Sequence, residues 1–326
     1  STVADLVAAL GVDAPTAAHA ARAAELAKAD QGAVLVDEFS DLQGYVAGEY
    51  ARLEGEDPAV AVAIGEQYLP EGADSPLPSG PVGALVALAD KLDALVGAFA
   101  VDEAPTGSKD PYGLRRAALG VVRILLDRGW DVDHAPLLRA AHARLDAQGA
   151  DLALDGEATS AGLDAFLADR LAHILAGEGV AGDVVGAAAG AGVGGLVATA
   201  TWARALGEVR EDEALRDVWT AATRLGRIAR KGSGTDVASA PGDDPGEAAL
   251  REAIDAAAPA IATARDARDL PAALAAAGPL AQAVDRFFTD VLVNAEDPGV
   301  RARRYALIDA AAAALAGVAD FDRLPG

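Results

Sequence analysis

Four Asp-Pro pairs, Asp57-Pro58, Asp110-Pro111, Asp244-Pro245 and Asp297-Pro298, each stand just ahead of a stretch with helical apolar spacing. An aspartate at an N-cap accepts from the unpaired N–H groups of the first turn, and a proline at the first helical position sacrifices no hydrogen bond. After Asp110-Pro111, the residues Leu114, Ala118, Val121 and Leu125 recur at helical intervals and define a core face, while Arg116 and Arg123 fall on another. Alanine is abundant and aromatic residues make up only 4% of the chain, so the aromatic and β-branched runs that strands prefer are scarce. The expected fold class is all-α.

Helical spacing predicts helices from Thr2, over Thr16 to Ala29, and through Val34 to Arg52, where Val36, Phe39, Val46 and Tyr50 form the expected core stripe. Residues Leu69 to Pro81 are a Pro- and Gly-rich loop, followed by a buried helix from Val82 to Phe99. His134 to Gln148 and Gly162 to Ala176 read as further helices. Val184 to Trp202 carries no charge over 19 residues, but it is rich in Gly and Ala, so a packed small-residue helix is expected rather than a membrane span. Leu215 to Arg230 is amphipathic, and Gly232 to Gly246 reads as a mobile loop. Glu247 stands near the capping-box position after Asp244. Helices from Glu247 to Arg265, Pro271 to Val293 and Asp297 to Ala319 complete a four-helix bundle. The expected division is a helical domain over 1–150, a helical linker over 151–205 and the bundle over 206–326.

No cysteine is present, which excludes disulfides, thiolate metal sites and cysteine nucleophiles. Ser1 follows no basic and apolar leader, so a cytoplasmic location is expected, and a chain with no methionine is expected to be processed or excerpted. The four histidines, His19, His134, His142 and His173, form neither a His-Asp dyad nor a His-x-x-x-His pair, and no P-loop is present. These absences leave hydrolytic zinc and P-loop nucleotide chemistry without candidates.

The net charge of −23 opposes polyanion binding over most of the surface. Its distribution is uneven. Residues 206–326 hold 20 acidic and 14 basic residues, leaving 30 acidic and 13 basic for 1–205. Within the less acidic part, Arg224, Arg227, Arg230 and Lys231 make a stripe over successive turns with no acid among them, and Arg301, Arg303 and Arg304 open the last helix. Both clusters suit phosphate contact, although a solvated face is the commonest meaning of such a cluster.

Several segments together carry a family resemblance. They are Lys28-Ala29-Asp30, the run Asp37-Glu38-Phe39-Ser40-Asp41-Leu42-Gln43-Gly44, Glu66-Gln67-Tyr68-Leu69-Pro70, Ala89-Asp90-Lys91-Leu92-Asp93-Ala94-Leu95, and Pro105 to Arg116. Nearly end to end, the chain resembles the β subunit of the bacterial-type, two-subunit glycyl-tRNA synthetase. The resemblance implies an HD-like helical domain whose metal dyad is lost, Ala29-Asp30 standing at the dyad position with His19 and Asp90 as vestiges. It implies a C-terminal anticodon-binding bundle of the DALR type, marked by Arg224 to Ile228, Phe287 to Val293 and Arg301 to Leu307; the family's Asn-Arg-Leu is here Arg303-Arg304-Tyr305. It also implies that the chain corresponds to the C-terminal part of that subunit.

From the resemblance follow the expected partners: tRNA-Gly and the synthetase α subunit, in a heterotetramer with no membrane association. Arg224, Arg227, Arg230, Lys231, Arg301, Arg303 and Arg304 are the expected tRNA contacts, and Lys109, Arg115 and Arg116 are expected to touch tRNA or the α subunit. No catalytic residue, metal or cofactor is expected on this chain, because glycine activation with ATP and Mg belongs to the α subunit. Two other readings stay open: a residual HD-type phosphohydrolase using His19, Asp30 and Asp90, and a purely structural assembly module.

Overall fold

A computed structural model describes residues 1–105, 110–229 and 244–324. Every regular element among the described residues is helical, as the composition implies. The chain divides into two compact units: Ser1–Leu171 with Gly195–Val197, and Ala172–Gly194 with Ala198–Gly326. The segment expected as a linker, 151–205, is shared between them.

The first unit contains α1 (Thr2–Leu10), α2 (Ala14–Leu26), α3 (Val34–Glu38), α4 (Tyr45–Leu53), α5 (Pro58–Gly65), α6 (Pro81–Ala100), α7 (Leu114–Arg128), α8 (His134–Ala147) and most of α9 (Gly156–Gly177). Its axis is α6. Hydrophobic residues around nearly its whole circumference, among them Leu85, Leu88, Leu92, Leu95 and Val96, are buried, and a helix that is apolar all round belongs inside. Helices α1, α2, α5, α7 and α8 all pack on it. The predicted face of α7, Leu114, Ala118, Val121 and Leu125, is buried in full.

The second unit contains α10 (Gly182–Gly190), most of α11 (Leu196–Glu208), and a bundle of α12 (Glu213–Ala229), α13 (Pro245–Asp266), α14 (Leu270–Asp290) and α15 (Pro298–Ala316). Helices α13 and α14 form the tightest antiparallel pair, with α12 and α15 packed across them. Trp202 is fully buried, and its indole N–H donates to the Val318 carbonyl at 2.8 Å, so the polar end of the largest core side chain is satisfied.

Four local expectations are corrected. The helix expected over Val34 to Arg52 is broken into α3, a single 3-10 turn at Ser40–Leu42 and α4, because the backbone leaves the helical range first at Phe39, φ −129° and ψ 78°, and again at Gly44, φ 78°. As a result Phe39 and Tyr50, expected in the core, are 55% and 47% exposed, while Val36 and Val46 are buried as expected. The uncharged run from Val184 to Trp202 is two helices, α10 and α11, separated by Gly192 and Gly194 at φ 69° and 108°. No described helix is long and apolar enough to cross a membrane. The remaining two corrections, at Asp110 and Glu247, concern the candidate site. The loop expected over Gly232 to Gly246 falls almost wholly outside the described residues.

Candidate functional site

In the first unit, the motif segments converge on one polar cleft of about 570 Å³. It is lined from the 40–43 turn, from Tyr68 to Glu71, from Asp90, Lys91 and Ala94 on α6, and from Tyr112 to Ala117 at the start of α7. The start of α7 differs from the expected register. Asp110 is not its N-cap: Gly113 is, at φ 68°, and the Asp110 carboxylate reaches across the intervening turn to accept the N–H groups of Leu114 (2.8 Å) and Arg115 (3.0 Å). The capping chemistry is retained from three residues further out.

Lys91 is the buried cation of this cleft. Its ammonium donates to the Tyr68 carbonyl at 2.9 Å, and burial lowers its pKa to about 8, with Asp90 opposing the shift. Asp90 pairs with Lys28 at 2.6 Å, and the Lys28 ammonium lies 4.4 Å from the centre of the Tyr68 ring. Asp30 is buried and accepts the Gly44 N–H at 2.6 Å, while its second oxygen has no hydrogen-bond partner. His19 lies 3.7 Å from Asp57, on another part of the unit. The three vestigial positions are thus engaged separately, and no three His, Asp or Glu side chains among the described residues could jointly hold a metal ion. Arg115 donates to the Pro105 carbonyl at 3.3 Å, whereas Arg116 is exposed on the cleft rim. Lys109 lies outside the described residues.

In the second unit, α12 carries a groove of about 690 Å³ lined by Arg216, Trp219, Thr220, Thr223, Arg224, Arg227 and Ile228. These positions recur at three- and four-residue intervals, which puts them on one face opposite the buried Leu215, Val218, Ala221 and Leu225. Trp219, part of this lining, is half-buried. Arg224 stacks over the Phe288 ring at 4.5 Å and reaches Asp285 at 3.5 Å, which holds its guanidinium on the surface. Arg227 is exposed and has no ion-pair partner among the described residues. Arg230 and Lys231, the other half of the predicted stripe, lie outside the described residues. Trp219 and Arg216 were missed by charge reasoning alone, although their spacing to Thr223 and Arg227 marks the same helix face.

The second predicted cluster is differently employed. Arg301 donates to the Ala295 carbonyl at 3.1 Å and is exposed. Arg303 and Arg304 turn inward and converge on Glu247, donating from Nε to its carboxylate at 2.6 and 2.7 Å. Arg304 also reaches Asp244 at 3.0 Å and the Leu292 carbonyl at 2.7 Å. Burial pushes the Glu247 carboxyl up, but the hydrogen bonds from the two arginines outweigh it and hold it below the usual carboxylate range. Glu247 therefore does not close a capping box: it anchors α15 to the start of α13, while Asp244 caps α13 alone by accepting from Gly246 and Glu247.

Fold and site together define an all-α protein with a polar cleft in one unit and an arginine-flanked aromatic groove in the other. A family model described as glycyl-tRNA synthetase beta subunit matches residues 1–190. The glycine–tRNA ligase beta subunit of Desulforudis audaxviator is 39% identical over 98% of this chain and 46% of that protein. Those of Ectopseudomonas mendocina and Geobacter metallireducens are 40% and 38% identical, over 94% and 93% of this chain and 45% and 44% of theirs. The chain belongs to the glycyl-tRNA synthetase beta subunit family. It spans just under half the length of the curated relatives it matches. The matches do not bear out the expected placement in the C-terminal part of the longer subunit.

Proposed function

We propose that this chain is a tRNA-binding part of a two-subunit glycine–tRNA ligase, holding tRNA-Gly while a separate α subunit activates glycine with ATP and Mg. The observation that carries the reading is the α12 groove, where Trp219 lies between Arg216, Arg224 and Arg227 on one helix face. Guanidinium groups give phosphate affinity, and an indole surface takes an unstacked base, the combination by which proteins grip single-stranded RNA loops. Arg303 and Arg304 are better read as structural, because both are engaged with Glu247. Arg301 is exposed and keeps its expected place as a tRNA contact in this reading. The chain itself performs no bond-making step in this reading; its role is binding and orientation. The α subunit, the heterotetramer and a cytoplasmic location belong to the same proposal.

The test is binding of tRNA-Gly transcript by fluorescence anisotropy across a salt series. The wild-type chain is expected to bind with a log-log salt slope that falls by about 0.7–0.9 for each phosphate contact removed. Arg224→Ala and Arg227→Ala together should weaken binding and flatten that slope. Unchanged affinity and slope in the double variant would remove the α12 groove from the interface. The residual phosphohydrolase reading has no geometric support at His19, Asp30 and Asp90, which are engaged apart from one another.

A further inference from the structure

Ten large hydrophobic side chains are exposed among the described residues, and seven of them fall between Val34 and Val62. The cause is local. Helices α4 and α5 pack so closely that a Cβ on Gly48 would stand 2.9 Å from the Ala61 carbonyl and 3.1 Å from the Gly65 Cα. That contact and the inward Val46, Val60 and Ile64 satisfy the pair's core face, leaving Tyr45, Tyr50, Leu53 and Val62 outward, with Phe39 just before α4. Tyr45 and Leu53, two turns apart on the same side of α4, are 65% and 70% exposed.

The charge of this segment is mostly acidic, although Arg22 of α2 pairs with Glu56 and His19 lies against Asp57. Residues 34–62 contain seven acidic residues and one arginine, Arg52, which is already paired with Glu49. Asp37, Glu38, Asp41 and Glu54 have no ion-pair partner among the described residues. Phosphates are repelled from such a segment, so it does not suit RNA. A protein surface with an apolar centre and a basic rim is its electrostatic complement. Resting on the reading that this chain works beside an α subunit, we infer that the α4–α5 face is the docking surface for that subunit, which presents an apolar patch ringed by Lys or Arg. The α12 groove is thereby left for RNA.

The experiment titrates purified α subunit onto the 326-residue chain by isothermal calorimetry at two salt concentrations, with circular dichroism confirming that each variant is folded. Tyr45→Ala/Leu53→Ala should weaken association at least tenfold, and Glu54→Lys several-fold with a reduced salt dependence. Leu292→Ala, which trims an equally exposed apolar side chain elsewhere, should bind like wild type. Wild-type affinity in the double alanine variant overturns the inference and leaves the α-subunit partnership standing. Absence of α-subunit binding by the wild-type chain overturns the partnership reading itself, and this inference with it. A wild-type dimer in sedimentation velocity that the double variant abolishes, or a loss of tRNA-Gly binding in that variant, assigns the face to self-association or RNA and also overturns the inference.

Discussion

The Glu247 cluster allows a stability effect to be worked out from its contacts. Glu247 is 2% exposed and accepts Nε donors from both Arg303 and Arg304. Breaking a buried ion pair from one side costs about 3–5 kcal/mol, because the abandoned charge has lost its solvent as well as its partner. Two features move Glu247→Ala towards the lower end. Arg304 keeps Asp244 and the Leu292 carbonyl, and the Arg303 side chain is a fifth exposed, so water can replace what it loses. About 3 kcal/mol is expected. For a unit of about 150 residues, each kcal/mol lowers the Tm by about 2–4 °C, so the transition of the second unit should fall by about 6–12 °C in calorimetry at pH 7.

The pH dependence supplies a second check. The folded carboxyl of Glu247 is held below its unfolded value of about 4.3, so its stabilising contribution is complete above that pH and is lost as pH falls through the folded pKa. Glu247→Gln preserves shape and one acceptor but not the charge. The difference between wild type and this variant should be flat from pH 5 to 8 and close as the pH falls below 4. A Tm change under 2 °C for Glu247→Ala, or a wild-type–Gln gap that persists in acid, would mean that the cluster is solvated and that Arg303 and Arg304 are available to other ligands.

Lys91 gives the opposite sign. Burial depresses its folded pKa to about 8, so the folded state is penalised below that pH and relieved as pH climbs toward the unfolded value of about 10.4. Urea denaturation from pH 7 to 10 should show wild type gaining about 2–3 kcal/mol relative to Lys91→Met, and a constant difference would show that the amine is solvated. Gly120→Ala would set a Cβ 2.6 Å from Lys91 Cε and 3.4 Å from Pro70 Cγ, so overpacking should cost about 1–3 kcal/mol; an unchanged denaturation midpoint would show that Lys91 swings aside freely. Trp219→Ala should weaken tRNA-Gly binding by about 1–3 kcal/mol, roughly 5- to 150-fold, if a base stacks on the indole. A change under twofold in a folded variant would refute the stacking.

Much of the fold is legible because helix starts are written locally. Asp57, Asp244 and Asp297 all accept backbone N–H groups two or three residues on, as the Asp-Pro pairs imply. Asp110 carries the same signal but serves it at longer range, because Pro111 and Tyr112 form a turn before α7 begins, and Gly113 at φ 68° joins that turn to the helix. Apolar spacing misleads between Val34 and Arg52 for a related reason. The pattern continues across Phe39 and Gly44, yet the backbone leaves the helical region at both, and the outward turn of Phe39 and Tyr50 follows from those breaks rather than from their hydrophobicity.

The candidate site is less legible, since whether an arginine is available depends on acids distant in sequence. Arg224 and Arg227 belong to a stripe with no acid near them in sequence, yet Arg224 meets Asp285, 61 residues away, while lying over the Phe288 ring and staying exposed. Arg303 and Arg304 look equally available and are drawn into Glu247 across 56 and 57 residues. Counting basic residues cannot separate the two cases, since a buried carboxylate needs guanidinium partners as much as a phosphate does. Trp219 is the better sequence marker: a large aromatic residue on the polar side of an otherwise regular amphipathic helix is not needed for the core, which Leu215, Val218, Ala221 and Leu225 already supply. An arginine beside such a residue has an apolar neighbour to lie against, and the acids it meets, Asp285 for Arg224 and Glu211 for Arg216, are exposed rather than buried like Glu247, which sets the α12 groove apart from the α15 cluster.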